Sequence, residues 1–129
     1  MYDPGQPDLT VDLCAALLAE PGIRVTAARA QPLGVGNVVY RHGDGSRGWP
    51  EFGPYARVLA AAAAPHVPSA LLQQLGEGGV LVIPVGGAWS QCLEVWRRQP
   101  KGFLHERLDE CRFVPLIGQD AWRDDPHHN

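Results

Sequence analysis

Residues 41–75, "RHGDGSRGWPEFGPYARVLAAAAAPHVPSALLQQL", and the twelve that follow, "GEGGVLVIPVGG" (76–87), decide the fold. The opening "GDGSRGWPEFGP" is dense in glycine and proline, which permit or impose unusual backbone angles, and reads as a long irregular loop. "YARVLAAAAA" begins as a strand, with Val58 and Leu59 suited to a buried parallel position. Pro65 and Pro68 bracket a turn; Pro68-Ser69 opens a short helix, "SALLQQL", and Gly76 ends it. Gly78-Gly79 then leads into "VLVIPVG", the strongest strand of the chain. Strand, helix and strand in this order form the crossover unit of an α/β sheet.

Downstream, "QCLEVWRR" (91–98) reads as a further strand, with Cys92, Glu94 and Trp96 on one face and Leu93, Val95 and Arg97 on the other. "GFLHERLDECRFVPLIG" (102–118) alternates and ends in an expected apolar strand, "RFVPLIG". These late strands should lie antiparallel at one edge of the sheet. Upstream, "VDLCAALLAE" (11–20) is rich in helix formers, with Asp8 or Thr10 as its cap and Pro21-Gly22 as its stop. "IRVTAA" (23–28) and "VVYRH" (38–42) read as strands separated by a loop. In that loop, Gly34-Val35-Gly36 is read as a turn, because a phosphate-binding loop is followed by a helix and here a strand follows. The expected organisation is a flexible N-terminal arm over 1–10, a domain over 11–118 and a polar, frayed C-terminal tail over 119–129.

The totals narrow the function classes. A chain of 129 residues is at most one smallish domain, and 45% hydrophobic with 19% charged residues is a globular composition. The net charge is −3 and ten of the eleven basic residues are arginines scattered along the chain, so no nucleic-acid or membrane partner is expected. Cys14, Cys92 and Cys111 are odd in number and far apart, which argues for reduced cysteines and a cytoplasmic chain. The longest apolar run, Val58 to Ala64, is far short of the roughly 20 residues of a membrane span. His42, Asp44, His66 and His105 sit singly on separate segments, and His127-His128 falls in the tail, so no metal site is expected. Ser46, in "DGSRG", does not occupy a Gly-x-Ser-x-Gly elbow, and no catalytic residue is assigned.

Taken in order, "NVVYRHGDGSRGWPEFGPY", "AAAPHVPSALLQQLGEGGVLVIPVG" and "CRFVPLIG" resemble the corresponding blocks of the protein-L-isoaspartate O-methyltransferases, over about Asp12 to Gly118. The resemblance implies an incomplete Rossmann-like S-adenosylmethionine-dependent methyltransferase fold, α/β with antiparallel C-terminal strands. It implies S-adenosylmethionine as cofactor and isoaspartyl-containing proteins or peptides as partners. It makes Gly43, Asp44 and Gly45 the cofactor-binding candidates, on a turn that borders the adenine in the family. Read by itself, Asp44 is a turn aspartate bonding its own backbone, and Trp49 is either a rigid flap with Pro50 or a hydrophobic plug beneath the loop.

The departures from the family pattern are as specific. Where the family has a strand ending in a glycine-rich turn, this chain has "PDLTVDL", with no glycine between Gly5 and Gly22. The acidic residue expected on the ribose hydroxyls falls near Arg29, which cannot accept a hydrogen bond. Ala56 and Ala61 stand where the family has Asp and Thr, and the family's substrate-facing N-terminal segment has no counterpart. Two readings stay open: a methyltransferase of isoaspartyl carboxylates, and a catalytically inactive remnant or interaction module of the same family. Loss of the first strand and second helix should leave a sheet edge uncovered, through which the chain would self-associate.

Overall fold

The computed structural model describes residues 8–11, 43–124 and 126. They form a mixed five-stranded sheet whose strands lie side by side in chain order. Strand β1 (Asp8–Val11) runs parallel to β2 (Tyr55–Ala60), and β2 runs parallel to β3 (Leu75–Gly86). Strands β4 (Gln91–Gln99) and β5 (Gly102–Cys111) continue it antiparallel. Helix α1 (Ser69–Gln73) lies in the β2–β3 connection and starts at Pro68.

Strand β1 corrects the reading of the N-terminus. Asp8 to Val11 pair in parallel with Arg57 to Ala60, where the sequence suggested the end of an arm and the first turn of a helix. Its β-branched Thr10 and Val11 suit a strand, and a parallel edge supplies what a five-residue window cannot show. The chain thus has a parallel strand beside β2, where loss of the first strand was expected to leave the edge uncovered. The rest of the expected helix 11–20, the strands 23–28 and 38–42, the Gly34–Gly36 turn, Cys14, Arg29 and His42 lie outside the described residues.

Two further expectations change. "RFVPLIG" is not a regular strand: Pro115 has no N–H to offer a ladder, and the segment makes only the single bridges Ala63–Pro115 and Ile117–Trp122. The tail does not begin at residue 119 as a frayed end. Gly118 donates to Trp122 O at 2.7 Å, Trp122 donates to Leu116 O at 3.0 Å, and Leu116 is fully buried, so 116–122 folds into a closed turn anchored in the core.

One face of the sheet carries the core cluster. Register aligns Leu9, Val58, Leu81, Trp96 and His105 in a row across all five strands. Val58 and Leu81 are buried, Trp96 partly so, and His105 is exposed and stacked on Trp96 at 4.3 Å between ring centres. Leu71 from α1 and Leu116 pack over this face with Tyr55, Leu75, Ile83 and Val85. In the adjacent row, Leu59 is 49% exposed and Val82 and Val95 are half-buried. Strand β5 is one of the two edges among the described residues, and its exposed Glu106, Arg107, Asp109 and Glu110 discourage addition of another strand.

One carboxylate is buried in this face. Glu94, 6% exposed and opposite Ile83, accepts from Trp96 Nε1 at 2.9 Å and faces Arg107 Nε at 3.5 Å. Glu94→Ala should destabilise the chain by about 1–3 kcal/mol, because the indole N–H loses its acceptor in a dry setting. Arg107→Ala should cost under about 1 kcal/mol, since that side chain is 65% exposed. Urea unfolding of both variants checks the contrast; equal losses would show that the ion pair, and not the indole bond, is what Glu94 provides.

Candidate functional site

The site candidate is the loop that enters β2. It runs along the core-bearing face as two short 3-10 turns, Gly45–Arg47 and Pro50–Phe52. Its far end is fixed at the start of β2, where the Tyr55 hydroxyl donates to Trp49 O. Trp49 packs against the core cluster and meets Phe52 edge-on at 4.7 Å, so it is the hydrophobic plug and not a flap. Gln74, at the end of α1, pins the middle: its Oε1 accepts from Trp49 N at 2.9 Å and its Nε2 donates to Arg47 O at 2.7 Å.

The near end of the loop is built on Asp44. Oδ1 accepts from Ser46 N at 3.0 Å and from Ser46 Oγ at 2.6 Å, which is the turn-aspartate role. Oδ2 accepts from Gln119 N at 2.8 Å, a residue 75 positions later. Ser46 Oγ also accepts from Asp120 N at 3.1 Å, and Arg47 Nη1 donates to Gln119 Oε1 at 3.2 Å. Gly43 is exposed, Asp44 half-buried, and Gly45 and Ser46 buried under the 118–120 segment. That segment hangs from Leu116, which donates to Ala63 O at 2.8 Å just beyond the carboxyl end of β2. The loop is thus held between this segment, which hangs beyond the end of β2, and Gln74, next to the start of β3.

The chain matches the family model described as protein-L-isoaspartate(D-aspartate) O-methyltransferase over residues 9–121. It belongs to that family. A protein-L-isoaspartate O-methyltransferase of Chlorobaculum parvum is 44% identical over 111 residues, covering 86% of this chain and 48% of the relative. One of Chlorobium luteolum is 50% identical over 88 residues, covering 68% of this chain and 40% of the relative. This chain spans about half the length of the relatives it matches. Among solved structures, a protein-L-isoaspartate O-methyltransferase superposes with a TM-score of 0.75 at 23% identity, over 92% of this chain and 44% of that one. A putative one from Plasmodium falciparum, in complex with S-adenosyl-L-homocysteine, gives 0.59 at 24% identity, over 75% and 47%. At these identities the structural likeness establishes the Rossmann-like methyltransferase fold.

Within this family frame, the candidate residues part company. Gly43, Asp44 and Gly45 are together on one loop. Ala56 is buried on β2 and Ala61 half-buried beyond its end, so neither offers a polar group. His66 and His105 are exposed on separate elements, and among the described residues no group of three metal-ligating side chains gathers. Cys92 and Cys111 are half-buried on neighbouring strands, and burial, followed by the nearby Cys92, pushes the Cys111 thiol up, which keeps it protonated. No described helix is long and apolar enough to cross a membrane. Sequence reading missed Ser46, Gly118 and Gln119 as partners of Asp44. The Asp-x-Ser spacing hints at the first, while nothing local ties residue 44 to residue 119.

Proposed function

We propose that this chain carries out the family's reaction, methyl transfer from S-adenosylmethionine to the α-carboxylate of L-isoaspartyl residues in damaged proteins, and that its Gly43–Gly45 loop holds the adenine. The observation that supports this is the family match over 9–121, a span that takes in the Gly-Asp-Gly loop. The loop suits the base: Asp44 Oδ2 accepts one N–H and keeps a lone pair for a donor such as an exocyclic amino group. When bound, the cofactor supplies an electrophilic methyl on a sulfonium that departs as a neutral thioether. An acceptor carboxylate is already a nucleophile, so the chain needs no general base; its task is to hold the two groups in line and keep water out. The same chemistry makes the glycine-free "PDLTVDL" and Arg29 costly. Losing two or three cofactor hydrogen bonds at roughly 1–1.5 kcal/mol each weakens binding about 10²-fold or more.

Calorimetric titration of the purified chain with S-adenosyl-L-homocysteine tests the reading. The expected outcome is saturable one-to-one binding with a Kd of about 100 μM or tighter, roughly 5.5 kcal/mol. Silence at millimolar ligand would overturn it in favour of a family remnant without turnover.

A further inference from the structure

We infer that residues Gly118–Asp120 are the positioning element of the Gly43–Gly45 loop: the loop holds its shape only while this strap is docked on Asp44 and Ser46. Three features carry this. First, both Asp44 carboxylate oxygens are engaged, Oδ1 within the loop by Ser46 and Oδ2 across to Gln119 N at 2.8 Å. A hydrogen bond to a charged acceptor is among the stronger ones a chain can make. Second, the Ser46 hydroxyl both donates to Asp44 and accepts from Asp120 N at 3.1 Å, so the turn and the strap share two acceptors and neither is complete alone. Third, the fit leaves no slack. A Cβ at Gly118 would overlap Asp44 Oδ1 and Ser46 Oγ, so only glycine lets the strap come this close.

The strap is itself stiff. Gly118 N donates to Trp122 O at 2.7 Å and Ala121 N to Gly118 O at 3.3 Å, and Leu116 anchors it in the core with 0% exposure. The loop, in contrast, has no regular ladder of its own beyond two three-residue turns. Order therefore reaches the Gly43–Gly45 end from the core through Leu116 and the strap, while Gln74 and the core seat of Trp49 fix the other end. The consequence for ligand binding rests on the function proposed above; the consequence for order does not.

Amide exchange read by NMR on the ligand-free chain tests it, with two variants. In Gly118→Ala the amides of Ser46, Gln119 and Asp120 should all exchange about tenfold faster or more, while those of Leu81 to Val85 in β3 stay protected. Asp44→Asn separates turn from strap. Its side-chain carbonyl still accepts from Ser46, but its NH2 opposes the Gln119 N–H, so Gln119 exchange should rise while Ser46 exchange holds. A merely space-filling Asp44 would not divide the two amides. If Ser46 keeps its protection in Gly118→Ala, or if Gln119 is unmoved in Asp44→Asn, the inference fails. In the same Gly118→Ala chain, affinity for S-adenosyl-L-homocysteine should drop about tenfold relative to the parent; equal affinity with a released strap would show that the strap does not position the site. Failure of the parent chain to bind the ligand at all overturns the proposed function, and the exchange data still decide the strap.

Discussion

Ile83→Ala should lower the unfolding free energy by about 2–5 kcal/mol. Ile83 is fully buried near the middle of β3, the strand that pairs in parallel with β2 on one side and antiparallel with β4 on the other. Its register partner Glu94 is itself buried, so the space left by three lost carbons is walled by groups already committed to other contacts. A domain of this size carries about 5–15 kcal/mol in total, so much of the margin would go. Leu59→Ala is the control: Leu59 is as large but 49% exposed on the opposite face, and its loss should stay below about 1 kcal/mol. Urea unfolding followed by tryptophan fluorescence measures both. Similar losses at the two sites would mean that burial at Ile83 and exposure at Leu59 do not set their contributions.

Gly48→Ala should cost about 2–4 kcal/mol, for two additive reasons. Gly48 has φ 65° and ψ −152°, a region open in practice to glycine alone. A Cβ there would also overlap the Gln74 side-chain amide, which cannot simply swing aside because it bonds Trp49 N and Arg47 O. Moving it releases the middle of the loop, and with it the seat of Trp49 on the core. Gln74→Ala removes the two hydrogen bonds without the backbone strain, so it should cost less, about 1–2 kcal/mol. Thermal unfolding of the two variants distinguishes them. A Gly48→Ala chain as stable as the Gln74→Ala chain would show that the backbone at residue 48 relaxes freely.

The pattern of what could be read in advance follows from the range of the forces. Strands β2, β3 and β4 and helix α1 were legible because each is written locally, as an apolar run or an alternation with proline or glycine nearby. The Asp44 turn was legible for the same reason. Strand β1 was not, because "DLTV" is four residues long and is a strand only by virtue of the parallel partner at Arg57–Ala60. The closing "RFVPLIG" misled in the other direction: its apolar residues are real anchors, but Pro115 breaks the ladder.

Sequence by itself was enough to establish the family, the crossover around α1, the glycine-proline loop and the absence of glycine between Gly5 and Gly22, since all of these are properties of neighbouring residues. Tertiary structure alone decided that Trp49 is a plug, that Glu94 is buried with an indole for a partner, and that Asp44 is bound to Gln119. The physical reason is separation along the chain. A hydrogen bond across 75 residues leaves no mark on either local stretch, and only the folded sheet brings its two ends to 2.8 Å.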